Sequence, residues 1–252
     1  YAAQIKERNI MIQASQVEDM LQSQDIRSLF EQIYPGQAQP DIVTRYRALT
    51  DRFQRHFPGH ESFRLYTSPG RTEIGGNHTD HQCGCVLAAS VDVDMLGCAA
   101  KNGSKTIRVV SQGHAAFSLD ISNLAIQEAE RGYTTALVRG ITARFTQLGY
   151  EPSGFDICIA SNVLVGSGLS SSAAFEVLIG LVINDLFCGG SVAPQELAKI
   201  GRYAENIYFG KPCGLMDQMA SAVGGAIFID FADMEKPVIQ KLRADFAGYA
   251  LC

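Results

Sequence analysis

The run Asn162-Val163-Leu164-Val165-Gly166-Ser167-Gly168-Leu169-Ser170-Ser171-Ser172-Ala173 follows one apolar stretch and opens another, longer one. Its glycines let a backbone turn sharply and approach an anion closely. The residues after them place free N–H groups and hydroxyls at a helix N-terminus, where dipole and hydrogen bonds both favour a phosphate. The expected cradle is Gly166, Ser167, Gly168, Leu169, Ser170, Ser171 and Ser172. No Gly-Lys-Ser/Thr follows, so this is not a Walker loop, and the third glycine of a dinucleotide fingerprint is missing. A plain strand-to-helix turn with a serine N-cap is the competing explanation, but a cap needs only one of the three serines.

Two more segments carry chemistry. Ser68 to His81 packs Arg71, Asn77, His78, Thr79, Asp80 and His81 among three glycines, at 70, 75 and 76. Arg71 is a fixed cation suited to phosphate or to developing negative charge. Asn, His and Asp within four residues can line a wall of donors and acceptors for sugar hydroxyls. A surface loop held by Asx turns, or a metal site of His78, Asp80 and His81, would use the same residues. Cys213 to Met219 places Asp217 in an apolar neighbourhood, where a carboxylate can be held for proton transfer. An acid in a first helical turn, favoured by the dipole, is the plainer reading of that segment alone. Glu205, upstream, reads as an exposed helix charge.

The elements that must position these groups follow from periodicity. Residues 1 to about 56 read as amphipathic helix through Ile10, Ile12, Val17, Met20 and Leu21, broken by Pro35, Gly36 and Pro40, and resumed from Ile42 to Phe57. They carry no chemistry and are expected to form an outer cap. Strands are expected at 63–68 (ended by Pro69-Gly70), 86–98, 106–110, 116–121, 155–160, 225–231 and 249–252, with a hairpin between the third and fourth. Helices are expected at 134–148, 170–187 and 194–208, the first closed by Gly149 and the last begun by Pro194. Strands and helices mix without strict alternation, which favours an α+β fold over a doubly wound sheet.

Bulk properties narrow the classes. The 252 residues are 46% hydrophobic and 19% charged, enough for a substantial core. A net charge of −5 and the absence of a basic run argue against nucleic acid or a membrane surface as partner. No uninterrupted apolar stretch reaches the roughly 18 residues of a membrane span; 173–188 is broken by Glu176, Asn184 and Asp185. No signal-peptide pattern begins the chain, and it lacks an initiator Met. Seven scattered cysteines fit a reducing cytoplasm. Cys83 and Cys85 read as buried strand thiols rather than a metal site.

In that order and at comparable spacing, the three segments resemble the galactokinase branch of the GHMP kinase superfamily. The family signatures are Gly-Arg-x-Asn-Leu-Ile-Gly-Glu-His-Thr-Asp-Tyr, Gly-x-Gly-Leu-Ser-Ser-Ser-Ala and Cys-Gly-Ile-Met-Asp-Gln, and the likeness runs from about residue 50 onward. The resemblance implies a GHMP-kinase N-terminal domain of the ribosomal protein S5 domain 2-like type over 57–252. A helical extension, 1–56, would precede it, and a ferredoxin-like second domain would be cut short. It implies ATP and Mg2+, a small-molecule sugar as acceptor, a cytoplasmic enzyme and in-line phosphoryl transfer; the oligomeric state stays open, leaning to a monomer. By matched position, Arg71 would stabilise the transferring phosphoryl group and Asp217 would be the base. Asn77, His78, Thr79, Asp80 and the backbone at Gly214 would bind sugar. The loop from Gly166 to Ser172 would wrap the ATP phosphates, and Ser172 and Glu205 would hold magnesium.

The sequence departs from the pattern at Asn77 where the family has Glu, Glu73 where it has Asn, Gly75 for Ile, His81 for Tyr and Leu164 for Pro. Asn77 keeps hydrogen-bonding capacity but loses the charge. That departure motivates another sugar, such as an amino sugar or a uronic acid. A sugar- and ATP-binding regulator without catalysis is a third reading. The presence of both Arg71 and Asp217 argues against it.

Overall fold

The computed structural model describes residues 12–243. Ile10 and the expected last strand, 249–252, lie outside them. Eight strands form one sheet among the described residues: β1 (Ile12–Gln13), β2 (Ser62–Gly75), β3 (Cys85–Lys101), β4 (Thr106–Ser111), β5 (Phe117–Asp120), β6 (Phe155–Ser161), β7 (Ala226–Asp230) and β8 (Val238–Leu242). The spine order is β1-β2-β3-β6-β4-β5. Only the β4–β6 pairing is parallel, and β4–β5 is the expected hairpin. β3 is long enough to serve three partners. β2 lines one edge, while the other is shared by β7 over its first half and β6 over its second.

Alternation along the strands sorts side chains to two faces. Ile157 and Ile159 of β6 pack with Ile107 and Val109 against α4 (Thr134–Gln147), α5 (Ser171–Cys188) and α6 (Pro194–Tyr203). Cys158 between them faces the other way. It joins Leu96 and Cys98 beneath α1 (Val17–Gln22), α2 (Gln24–Ile33) and α3 (Gln39–His56), which bring Leu21, Phe30, Ile42 and Phe53. Burying a side chain the size of fully enclosed Phe53 contributes about 2–3 kcal/mol. A third apolar cluster ties α7 (Met216–Val223) to β7 through Met216, Met219, Ile227 and Ile229.

The mixed α+β character holds, and three expectations change. First, the strand expected to stop at Pro69-Gly70 runs on to Gly75, with a register shift against β3 between Pro69 and Arg71. Proline has no N–H to give a ladder, and an irregularity in the pairing is where a strand tolerates it. Arg71 is therefore delivered by a strand, not a loop. Second, the helix expected at 194–208 is α-helical only to Tyr203. Residues Ala204–Phe209 widen into a π-turn ended by Gly210. Glu205, expected as an exposed charge, is only 4% exposed there. Third, Cys83 and Cys85 are exposed rather than buried.

α5 has the length and mean hydropathy of a membrane span, which the sequence reading discounted because three polar residues interrupt the run. In this fold it is a core helix: Ala174, Leu178 and Val182 are fully enclosed. β8 was not expected. Its residues are mostly exposed and it pairs only with β7.

Candidate active site

Arg71 and Asp217 meet. The Nε and Nη2 of Arg71 each donate to a separate oxygen of Asp217, both at 2.7 Å. This forked geometry fixes orientation as well as charge. The remaining arm, Nη1, donates to the Gly168 carbonyl at 2.6 Å, and the Arg71 backbone N–H donates to the Leu169 carbonyl at 3.0 Å. The Ser170 hydroxyl donates to Asp217 Oδ2 at 2.5 Å. One arginine thus holds the acid and the C-terminal half of the glycine-serine loop together.

The loop has the form expected of an anion cradle. Gly166 and Gly168 both sit at φ +78°, and nothing lies within 4 Å of where a side chain would project. Ser170 is left-handed at φ +57° and Ser171 begins α5, so the serines stand at the mouth of an 18-residue helix. The first amides of a helix have no intrahelical acceptor and point outward. Ser167 turns inward, donating its hydroxyl to the Leu164 carbonyl at 2.7 Å.

Asp217 occupies the first turn of α7, and the segment before it explains why. Asp80 is 5% exposed, and its Oδ2 accepts from the Leu215 and Met216 amides at 2.9 and 3.1 Å. It caps the helix that carries Asp217. Gly214 has to be glycine: a Cβ there would stand 1.7 Å from that same Asp80 oxygen. Asp80 is also 3.6 Å from His81. Burial pushes the Asp217 carboxyl up, but the hydrogen bonds and charge of Arg71, with Ser170 and His78 beside them, outweigh it and hold it below the usual aspartate range.

The remaining signature residues form the turn between β2 and β3. Asn77 and His78 are exposed and left-handed, at φ +54° and +52°. Glu73 binds the His78 backbone N–H at 2.8 Å and faces its ring nitrogen at 3.2 Å. Thr79 gives its hydroxyl to the Cys85 carbonyl at 3.3 Å, closing the turn. No group of three or more His, Cys, Asp or Glu suited to a metal exists among the described residues.

Behind Asp217 lies a set of which the sequence reading named only Glu205. Gln218 Nε2 donates to Glu176 Oε2 at 2.9 Å and to Glu205 Oε2 at 3.0 Å, and all three residues are buried. Lys211 reaches the other Glu205 oxygen at 3.2 Å. Burial and the neighbouring Glu205 push the Glu176 carboxyl well up. Glu176 Oε1 has no hydrogen-bond partner. An acid near the start of the apolar run 173–188, Glu176, was the available signal. That Glu205 is buried and shares Gln218 with it could not be inferred, because the π-turn that carries Glu205 leaves no signal in the spacing.

Ser172, in the first turn of α5, and Glu205, in the π-turn, each carry an oxygen donor of the hard type that a magnesium ion takes. The Lys211 partner of Glu205 has a side chain 63% exposed.

Comparison with known proteins gives the family. Residues 136–225 match the family described as GHMP kinases N terminal domain, and residues 51–101 match the galactokinase galactose-binding signature. Galactokinase of Clostridium tetani is 34% identical over 181 residues, 70% of this chain and 46% of that protein. Galactokinase of Streptomyces coelicolor is 33% identical over 189 residues, 74% of this chain and 48% of its own length. The chain therefore spans about half the length of the curated relatives it matches. The crystal structure of Lactococcus lactis galactokinase complexed with galactose superposes with a TM-score of 0.71 at 30% identity, covering 79% of this chain and 52% of that one. The Methanococcus jannaschii mevalonate kinase shares the fold alone, with a TM-score of 0.61 at 18% identity over 73% of this chain and 57% of that one. The chain belongs to the GHMP kinases, within their galactokinase group.

Proposed function

We propose that the protein transfers the γ-phosphoryl group of ATP to the C1 hydroxyl of galactose, giving galactose 1-phosphate and ADP. The observation that carries this reading is the forked Arg71–Asp217 pair set against the Gly168–Ser170 turn. The Asp217 carboxylate, the Arg71 guanidinium and the glycine-serine turn lie within one side chain's reach, which supports their reading as proton acceptor, cation and anion cradle.

The pair also suggests how proton uptake is timed. While Arg71 is forked onto Asp217, the carboxylate is ionised and a weak base. A bound phosphoryl group is a competing anion for the guanidinium. As Arg71 turns to it, Asp217 loses its counter-charge in a half-buried setting and its proton affinity rises. The sugar hydroxyl then gives its proton to Asp217, its oxygen bonds to the γ-phosphorus, and the bond to the β-phosphate oxygen breaks. His78 and Asn77 would meet the sugar at the mouth, and the first amides of α5 would hold the nucleotide phosphates. Magnesium, held by Ser172 and Glu205, would neutralise phosphate charge when bound.

A second reading keeps the chemistry and changes the sugar. It rests on Asn77, exposed beside His78 where the family carries a Glu, while the carboxylate at Glu73 is engaged with His78. A phosphorylation assay on the intact protein decides, with galactose, galactosamine and galacturonic acid as acceptors and 31P NMR to identify the product. Galactose 1-phosphate as the main product supports the first reading. Turnover with another acceptor and none with galactose supports the second.

A further inference from the structure

The N-terminal helices reach the nucleotide loop through one buried carboxylate. Asp94, in β3, is 3% exposed. Its Oδ2 accepts from the Tyr34 hydroxyl at 2.5 Å and from the Thr67 hydroxyl, and its Oδ1 accepts from Arg45 Nη2 at 2.5 Å. Tyr34 follows α2 directly, Arg45 lies in α3, and Tyr46 bonds the Tyr34 hydroxyl at 3.0 Å. The Asp94 backbone carbonyl accepts from the Asn162 N–H at 2.9 Å. With its amide oxygen facing the guanidinium, the orientation in which both amide atoms meet complementary partners, Asn162 also accepts from Arg45 Nε at 3.1 Å and Nη2 at 3.3 Å.

Asn162 is the first residue after β6 and opens the segment that carries the glycine-serine loop. In the strand register Asp94 lies opposite Pro69, at the irregularity that delivers Arg71. The far end of the loop is held by Arg71 through the Gly168 and Leu169 carbonyls. The loop is thus pinned at both ends by arginines: Arg71 from the strand and Arg45 from the helical layer.

We propose that Arg45 is a positioning residue for nucleotide binding, and that the helical layer, through Arg45 and Asp94, sets the starting geometry of the loop. Arg45 touches none of the proposed catalytic groups and acts through Asn162. A guanidinium can serve Asp94 and Asn162 together because its donors are fixed in a fork. A lysine ammonium keeps the charge beside Asp94 but cannot hold that geometry. The inference rests on the proposed function, since it assumes that the loop binds ATP.

The test uses the intact protein, with magnesium AMP-PNP titrated by calorimetry and KM measured separately for ATP and sugar. Arg45→Lys is expected to weaken AMP-PNP binding and raise KM for ATP about tenfold, the scale of one charge-assisted hydrogen bond. The sugar KM should stay within about twofold. Asn162→Ala should do the same, and the double variant should be no worse than either single one. Wild-type nucleotide affinity in both folded single variants overturns the inference, as do effects that simply add. If Arg45→Lys fails to fold, Asn162→Ala decides alone by the split between ATP and sugar KM. A native protein that binds no AMP-PNP defeats the proposed function itself, a result distinct from a native protein that binds and variants that match it.

Discussion

Two aspartates among the described residues are gripped by a forked arginine, and only one of them stands beside the glycine-serine loop. Asp156 is fully enclosed at the start of β6. Arg108 donates to both of its oxygens at 2.6 Å, His60 contacts it at 2.7 Å and Asn102 at 2.7 Å. Asp217 has the same fork from Arg71 with a serine added. In both, burial pushes the carboxyl up and hydrogen bonding from the arginine outweighs it, so both sit below the usual range. The pair itself is therefore no mark of catalysis. The surroundings differ. Asp156 spends its oxygens on groups that anchor strand ends. Asp217 is 30% exposed in its side chain, beside a loop of unfilled glycines and a helix mouth.

Arg71→Met gives the largest separation between the two regions. Loss of a cation aimed at developing charge is expected to lower kcat about 10²–10³-fold, with the protein still folded by circular dichroism; a change under tenfold would place Arg71 outside the transition state. Glu205→Gln comes next. The magnesium concentration for half-maximal rate should rise about tenfold or more, measured by titrating the metal at saturating ATP. An unchanged requirement would remove Glu205 from the metal site. Asp156→Asn should instead cost about 2–3 kcal/mol, seen as a fall of about 5–10 °C in Tm, with kcat changed less than about twofold. A large kcat effect there would erase the distinction.

Acid gives the smallest effect and acts on both regions. A carboxyl whose folded-state pKa is depressed contributes stability above the ordinary aspartate value of about 3.9, lost as pH falls through the lowered folded value. Denaturant midpoints should therefore decline below about pH 4. Asp156→Asn should flatten that decline.

Much of the site was legible because its parts are local. Loop, helix mouth and Arg71 stand in segments whose residues state their chemistry, while Asp217 gained its role only from the family resemblance that the order of the three segments carries. Several elements came within a residue or two: the 134–148 helix closes at Gln147 before left-handed Gly149. What was hidden depends on packing between distant segments. A π-turn turned Glu205 inward, Asp80 capped a helix more than a hundred residues away, and Glu176 gained its partner only when α5 met α7. The strand through Pro69 was misread because proline normally ends a ladder; the irregularity that tolerates it is a property of the pairing with β3.

Asp217→Asn tests the central claim most directly, because it removes the acceptor for the hydroxyl proton while keeping shape and the contact with Arg71. The variant, assayed with ATP and galactose and titrated with AMP-PNP, is predicted to lose about 10²–10⁴-fold in kcat while both ligands bind within a few-fold of the native protein. Native turnover in the folded variant would contradict the account and leave Asp217 a structural partner of Arg71, as Asp156 is of Arg108.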